Sequence, residues 1–437
     1  MKAVWDPQHE KMPRPELERL QLRRLQAKIG QLYEIVPFYR RTLRELELTP
    51  ESLKSLGDLA ELPFTTRQDL RDNYPYGMLA TAPEEVARMH ASSGTAGKPI
   101  LSLYSPADVD LWTEMMARTL AAGGVTKADV VHVAFSYGLF TGGLGFHYGA
   151  ERIGAAVVPA SSGHAKRQVL LMQDLGSTVL CCTPSYALVL AETAMEMGVD
   201  LSESRLRMGF LGAESWTDLM RAEIEAKLGI IALDSYGLTE VIGPGVSAEC
   251  PHKDGMHIFE DHFLPEIVDP ASGEPLPYGQ SGELVLTTLT KDAMPLVRYR
   301  TGDITSLNPE PCPCGRTLVR MSKIQGRTDD MLTLRGVKLF PSQIEAILLR
   351  FEGIDPHYQI LVEREGMLEE LEIRVEISKV VFEELLGETR RLQSIERAIR
   401  AEIESVLGIT ARVRLVEPGS LERSEHKTKH VFDRRQM

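Results

Sequence analysis

The chain has 437 residues, 43% of them hydrophobic and 25% charged, enough apolar material for more than one core in a soluble globular protein. A formal net charge of −13 argues against a general nucleic-acid binder, and no apolar run approaches the roughly 18 residues that span a bilayer. Five cysteines, with Cys181 and Cys182 adjacent, do not form a disulfide framework; with a charged N-terminal stretch that lacks an apolar export segment, they predict a cytoplasmic protein.

In chain order, residues 14–48 carry Leu17, Leu20, Leu22, Leu25 and Leu32 among charges, which predicts an N-terminal amphipathic helix. From about 88 to 325 short apolar runs alternate with amphipathic stretches. The runs 130–135, 155–159, 178–182, 207–211 and 230–233 read as buried, largely parallel strands of an α/β domain. Residues 256–305 change to shorter alternating strands, clearest at 283–288, and read as a β-rich subdomain. After Gly326 the pattern is helix 342–350, strands 358–364 and 370–377, helix 389–407 and strand 412–416, a small α+β domain. The boundary is placed between 1–326 and 327–437.

Several runs carry chemistry. Ser92-Ser93-Gly94-Thr95-Ala96-Gly97-Lys98-Pro99 brings two hydroxyl residues into a Gly-x-x-Gly-Lys turn, where backbone N–H groups, hydroxyls and an ammonium can surround a phosphate. It is not a Walker loop, because the glycine spacing is shorter and proline follows the lysine. The alternating residues 100–104 that follow place the turn between strands, not at a helix N-terminus. Further on stand Asp234-Ser235-Tyr236-Gly237-Leu238-Thr239-Glu240, read as a loop after a strand, and Tyr299-Arg300-Thr301-Gly302-Asp303. Gly326-Arg327-Thr328-Asp329-Asp330 leads to Gly336 and Pro341-Ser342-Gln343-Ile344-Glu345, and Arg423-Ser424-Glu425-His426-Lys427 lies near the end. Any one of these alone reads as a solvated turn. Net negative charge is unfavourable for anionic substrates, so Lys98, Arg298, Arg300, Arg327, Arg335, Lys338 and Lys427 are candidates for gathering local positive charge.

In this order the motifs resemble the adenylate-forming superfamily. The runs Tyr137–Arg152, Cys181–Tyr186, Gly212–Trp216 and Val241–Gly245 resemble its aryl-CoA ligase branch, which includes the phenylacetate–CoA ligases, and the likeness runs almost end to end. The resemblance implies a large domain that binds ATP and an aryl acid and a small mobile C-terminal domain. It implies coenzyme A as acceptor, Mg2+ as cofactor, AMP and pyrophosphate as products, and a homodimer.

By the same resemblance, Ser92, Ser93, Gly94, Thr95, Gly97 and Lys98 hold phosphates. Thr239 contacts the α-phosphate, and Glu240 binds Mg2+ as a hard oxygen donor. Ala213, Glu214, Asp234 and Tyr236 border the adenine, Asp303 accepts from the ribose hydroxyls and Arg327 contacts the ribose side. Lys427 bridges nucleotide and carboxylate during adenylation, with Lys429 two residues away, and Asp329 is the hinge. Arg335, Gly336 and Lys338 lie toward CoA. Tyr137, Phe140, Ala213 and Ser235 form the acid pocket, where Ser235 departs from the usual aliphatic residue and keeps hydroxylated arylacetates and benzoates open. A carrier-protein thiol as acceptor and a non-catalytic ATP-binding role also stay open.

Cys312-Pro313-Cys314-Gly315, with Cys250, His252 and His257 upstream, is similar to a thiolate–imidazole zinc site, although the one-residue gap is shorter than usual. The expected ligands are Cys250, Cys312, Cys314 and His257, with His252 as the competing histidine. Cys181 and Cys182 are expected in the core.

Overall fold

The structure, a computed structural model, describes residues 4–92, 99–328, 332–334, 337–365, 368–384, 389–421 and 430–434. Among these the largest sheet has nine strands. Five of them, Ala156–Val158, Val130–Val133, Val179–Cys182, Met208–Gly212 and Ile231–Leu238, lie side by side in parallel in that order. They are the five apolar runs expected from the sequence. Val179–Cys182 and Met208–Gly212 are buried throughout, because helices cover both faces of a parallel sheet. The second strand in the chain, Ala156–Val158, lies outside the first, whereas the third continues on the other side. The strand order therefore reverses beside Val130–Val133, and the crevice past the carboxyl ends of such strands is where α/β sheets bind ligands.

The sheet continues antiparallel through Gly243–Glu249, Met256–Ile258, Arg320–Met321 and Leu307–Asn308. A second sheet, entirely antiparallel, orders Phe263–Val268, Gly282–Thr288, Tyr299–Thr305 and Gly326–Arg327. The hairpin Arg88–Ala91 with Leu101–Tyr104 confirms a strand after the Ser/Gly/Lys run.

Two expectations change. The N-terminal helical pattern is two helices, Arg14–Ile35 and Pro37–Glu45, because Val36 precedes a proline and is extended (φ −97°, ψ 109°). The Asp234–Leu238 portion of the motif is not a loop. It is the second half of strand Ile231–Leu238, held on one side by Met208–Gly212 and on the other by Gly243–Glu249, so only Thr239 and Glu240 occupy the turn.

The C-terminal segment has its own core, including Ile344, Ile347, Ile360, Ile373, Ile399 and Ile403. Its sheet orders Arg412–Val416, Leu368–Ile377, Ile354–Glu365 and Val431–Asp433. Helices Pro341–Leu348 and Thr389–Leu407 pack on it as expected, while strand Val431–Asp433 and helix Lys379–Glu384 had no clear pattern in the sequence. Among the described residues no helix is long and apolar enough to cross a membrane.

Candidate active site

A cavity opens past the carboxyl ends of the parallel strands, lined by Phe135, Phe140, Phe146, Ala213, Ser235 and Thr239 among others. The rings of Phe135 and Phe146 stack at 5.3 Å with 6° between planes and form a flat apolar wall. Gly142 permits it: a Cβ there would lie 2.7 Å from the Phe140 ring and 3.2 Å from that of Phe135. Ala213 holds a left-handed backbone, φ 70°, where an L-residue is strained, as occurs where a chain must present itself to a ligand. Three of the four expected pocket residues, Phe140, Ala213 and Ser235, line the cavity. Tyr137 does not: its ring meets His147 edge-on, with its hydroxyl 3.2 Å from Nδ1, because the chain turns away after Phe135.

Beside the cavity three expected nucleotide residues meet. Asp303 and Arg327 are opposed across two antiparallel strands. Arg327 donates to Asp303 Oδ1 and to the Thr301 carbonyl, and the Tyr236 hydroxyl donates to Asp303 Oδ2 at 2.6 Å. Burial and the Asp303 charge both push the Tyr236 phenol far up, so it stays a donor. A carboxylate accepts about four hydrogen bonds, so service to both neighbours is compatible with a diol as well.

Thr239 and Glu240 are buried where strand Ile231–Leu238 turns back. Thr239 Oγ1 is 3.5 Å from Thr141 Oγ1, and Arg67 approaches Glu240 Oε1 to 3.8 Å. A buried carboxylate next to nucleotide phosphates is the all-oxygen donor set that Mg2+ takes, so Glu240 fits that ion. Lys291 is fully buried nearby, its ammonium lowered to about 8 by burial against the pull of Asp108 and Glu240. Glu214 Oε1 accepts from the Ser185 amide at 2.6 Å at the start of helix Pro184–Glu196. Burial, then the Glu249 charge, raises the Asp234 carboxyl to about 7, while its amide donates to Glu249.

Two of the cations expected near the site are committed elsewhere. Arg298 is bound to Glu266 and to the carbonyls of Ala60 and Leu62, and Arg300 to Glu283, so both hold the second sheet together. Ser92 stands at the stem of the phosphate-loop hairpin, its amide bonded to the Ile100 carbonyl. Ser93, Gly94, Thr95, Gly97, Lys98, Asp329, Arg335, Gly336 and Lys427 lie outside the described residues. Lys338 pairs through its backbone with Thr333 in hairpin Leu332–Leu334 and Val337–Leu339. Sequence reading missed Arg67, Thr141 and Lys291. The first lies far upstream of the motifs, and nothing local marks the other two.

Cys250, His257, Cys312 and Cys314 are all buried, with ligating atoms within 4.8 Å of one another. Cys250 Sγ is 3.7 Å from Cys312 Sγ, and Cys314 Sγ is 3.5 Å from His257 Nε2. A zinc ion about 2.3 Å from sulfur and 2.0 Å from nitrogen demands tetrahedral edges of about that length, so the donor set fits zinc. The turn is closed by Gly315 (φ 91°), whose amide bonds to the Cys312 carbonyl. Hydrogen bonds from Cys250 and then His257 outweigh burial and hold the Cys314 thiol well below its usual range. His252 is exposed and outside the cluster, and Cys181 and Cys182 are buried free thiols in the sheet.

Family models for the AMP-binding enzyme and the AMP-binding enzyme C-terminal domain match residues 39–289 and 336–435. A phenylacetate-coenzyme A ligase of Thermus thermophilus is 49% identical over 99% of this chain and 100% of its own. One from Escherichia coli is 48% identical over 97% and 96%. The solved 2-hydroxyisobutyryl-CoA ligase in its postadenylation state superposes with a TM-score of 0.92 at 31% identity, covering 99% of this chain and 92% of that one. The same ligase with its acyl-AMP and CoA in the thioesterification state gives 0.73 at 32% identity over 99% and 93%, so this chain's domain arrangement is nearer the first. Through a likeness that spans the chain from end to end, it belongs to the AMP-binding enzyme family and, within it, to the phenylacetate-coenzyme A ligases.

Proposed function

We propose that this AMP-forming acid–thiol ligase takes phenylacetate as its acid, ATP as the activating nucleotide and coenzyme A as acceptor. The observation that carries the reading is the flat aromatic cavity of Phe135, Phe140 and Phe146, which reaches Thr239 on the strand that carries Tyr236 to Asp303 and Arg327. It matches an aryl group at one end and a nucleotide at the other.

A carboxylate oxygen attacks the α-phosphorus and pyrophosphate leaves. The CoA sulfur then attacks the acyl carbon, its proton passes to solvent and AMP leaves. Asp303 and Arg327 hold the ribose, while Thr239 and the Ser92–Lys98 run surround the phosphates. Lys427 places a compact positive charge on the α-phosphate during the first step. Glu240 would hold Mg2+, which neutralises phosphate charge when bound. With acid and phosphorus fixed in line, positioning and charge do the work that an acid–base pair does elsewhere.

Strand Gly326–Arg327 pairs in the second sheet, so the segment that follows Asp329, and not all of 327–437, is proposed to turn on that residue, withdrawing Lys427 and bringing Arg335, Gly336 and Lys338 toward CoA. The two states of the 2-hydroxyisobutyryl-CoA ligase support this, since this chain fits one better than the other. Cys250, His257, Cys312 and Cys314 are proposed to hold a structural zinc, supported by their spacing. A cytoplasmic site, supported by five cysteines none of which is in a disulfide, and a homodimer complete the reading.

The test is pyrophosphate release over a panel of aryl acids, with and without CoA. Phenylacetate should give the highest kcat/KM and accumulate phenylacetyl-CoA. Preference for hydroxylated or benzoic acids would reassign the pocket through Ser235 and Thr141. Release without a CoA thioester would point to a carrier-protein thiol.

A further inference from the structure

Lys291 lies in the turn between strands Gly282–Thr288 and Tyr299–Thr305. Asp108, near the start of helix Pro106–Ala122, fixes that turn by accepting from the amides of Asp292 (2.6 Å) and Ala293 (2.8 Å). The Lys291 side chain then runs inward, 1% exposed, with its ammonium 4.7 Å from the centre of the Tyr104 ring. Among the described residues no carboxylate lies within ion-pair distance of it, and a buried ammonium without one is costly. A methionine of similar volume would fill the space without that cost.

The hydrogen bonds show what the charge does instead. Lys291 Nζ donates to Ser102 Oγ at 2.7 Å and to the Glu240 main-chain carbonyl at 3.4 Å. Ser102 is in Leu101–Tyr104, the strand that emerges from the Ser/Gly/Lys hairpin. Glu240 is in the turn that presents Thr239. The Glu240 carboxylate has Arg67 nearby, and the hydrogen bond of Lys291 goes to the backbone of that turn.

We propose that Lys291 is a positioning residue for ATP, tying the hairpin of the phosphate loop to the Thr239–Glu240 turn and fixing their separation before the nucleotide arrives. The inference rests on the reading that these two segments hold the phosphates. A fixed separation saves the ordering that binding would otherwise require, so its loss falls on nucleotide affinity and leaves the other substrates alone.

The test compares K291M, K291R and S102A in the full-length enzyme by calorimetric titration with ATP, without and with Mg2+, and by steady-state kinetics with each substrate varied. K291M is expected to weaken ATP binding and raise its KM at least tenfold. The KM values for acid and CoA, and thioester formation from supplied phenylacetyl-AMP, should stay within about twofold. K291R should recover part of the loss. If K291M does not fold, S102A, which removes one acceptor and keeps the lysine, carries the test with an expected rise of about threefold in the ATP KM. Unchanged ATP affinity in a folded K291M, or an equal loss toward all three substrates, would overturn the inference. Failure of the unsubstituted enzyme to bind ATP would overturn the phosphate-site reading and this inference with it.

Discussion

The Tyr236–Asp303–Arg327 cluster and the face where the small domain meets the large one are held together differently. Around Asp303 the groups are locked: Tyr236 and Arg327 each spend a hydrogen bond on one carboxylate, inside strands whose register opposes them. At the docking face, among the described residues, Leu349 packs against the large domain's second apolar cluster and Phe340 lies against Gly326, with polar contacts beside them. Ser342 donates to the Gln325 carbonyl, His357 stands 3.7 Å from Glu192, and Glu345 is buried against Tyr358 with Glu214 nearby. The small domain meanwhile keeps a separate apolar core. Each domain therefore keeps its own core, and the face between them is a mixed apolar and polar contact, as between domains of one chain. On the proposed function, a locked cluster for the nucleotide and a separately built domain for the second nucleophile would serve a single acyl carbon that meets two chemistries in turn.

The comparison breaks most visibly at Lys427. K427A should lower adenylation, read as acid-dependent pyrophosphate release, on the order of a thousandfold, with thioester formation from supplied phenylacetyl-AMP largely intact. Equal loss of both half-reactions would mean that the small domain does not exchange roles. At the thiolate cluster, C312S or removal of metal by a strong chelator should lower the unfolding free energy by about 3 kcal/mol. Metal analysis of the native enzyme should find one zinc per chain, and a metal-free protein with unchanged melting would remove the ion from the account. D303N leaves Arg327 facing a neutral amide and should raise the ATP KM about thirtyfold, a charged hydrogen bond being worth about 2 kcal/mol. An effect shared equally with the acid KM would place Asp303 outside the ribose site.

The smallest effect belongs to Glu345. Burial, then the Glu214 charge, lifts its carboxyl from the usual 4.5 to about 7 against the pull of Tyr358 and Thr217. The docked state keeps this proton where the unfolded chain has lost it. Its contribution to stability therefore falls as pH rises from about 4.5 to about 7, and the penalty is complete above that. A penalty on the order of 1–2 kcal/mol is expected, since a carboxylate at a docking face relaxes toward water. E345Q should flatten that part of the stability–pH curve. A curve parallel to the parent's would show that Glu345 is solvated.

Much of this was legible before the coordinates. The five parallel strands announced themselves as apolar runs, and Tyr236, Asp303 and Arg327, which the structure brings together, stood in motifs singled out through the family resemblance. What stayed hidden was set by partners distant in sequence. The polar, glycine-containing run Asp234–Leu238 reads as a loop, yet a strand on each side overrides its propensity. A charge does not declare its partner, so Arg298 and Arg300 looked available for phosphate until Glu266 and Glu283 appeared beside them. Lys291 is the reverse case, a lysine between Thr290 and Asp292 that reads as a solvated turn and that the fold delivers to Glu240. The break at Pro37 was readable and was outweighed by the leucine spacing on either side of it.

The central claim is that the acid passes through an adenylate. Its most direct test is a single-turnover quench with phenylacetate, ATP and Mg2+, first without CoA and then with CoA added. The account predicts phenylacetyl-AMP equal in amount to the pyrophosphate formed, then its conversion to phenylacetyl-CoA and AMP. Formation of ADP and inorganic phosphate, or of thioester with no adenylate at any time, would contradict it.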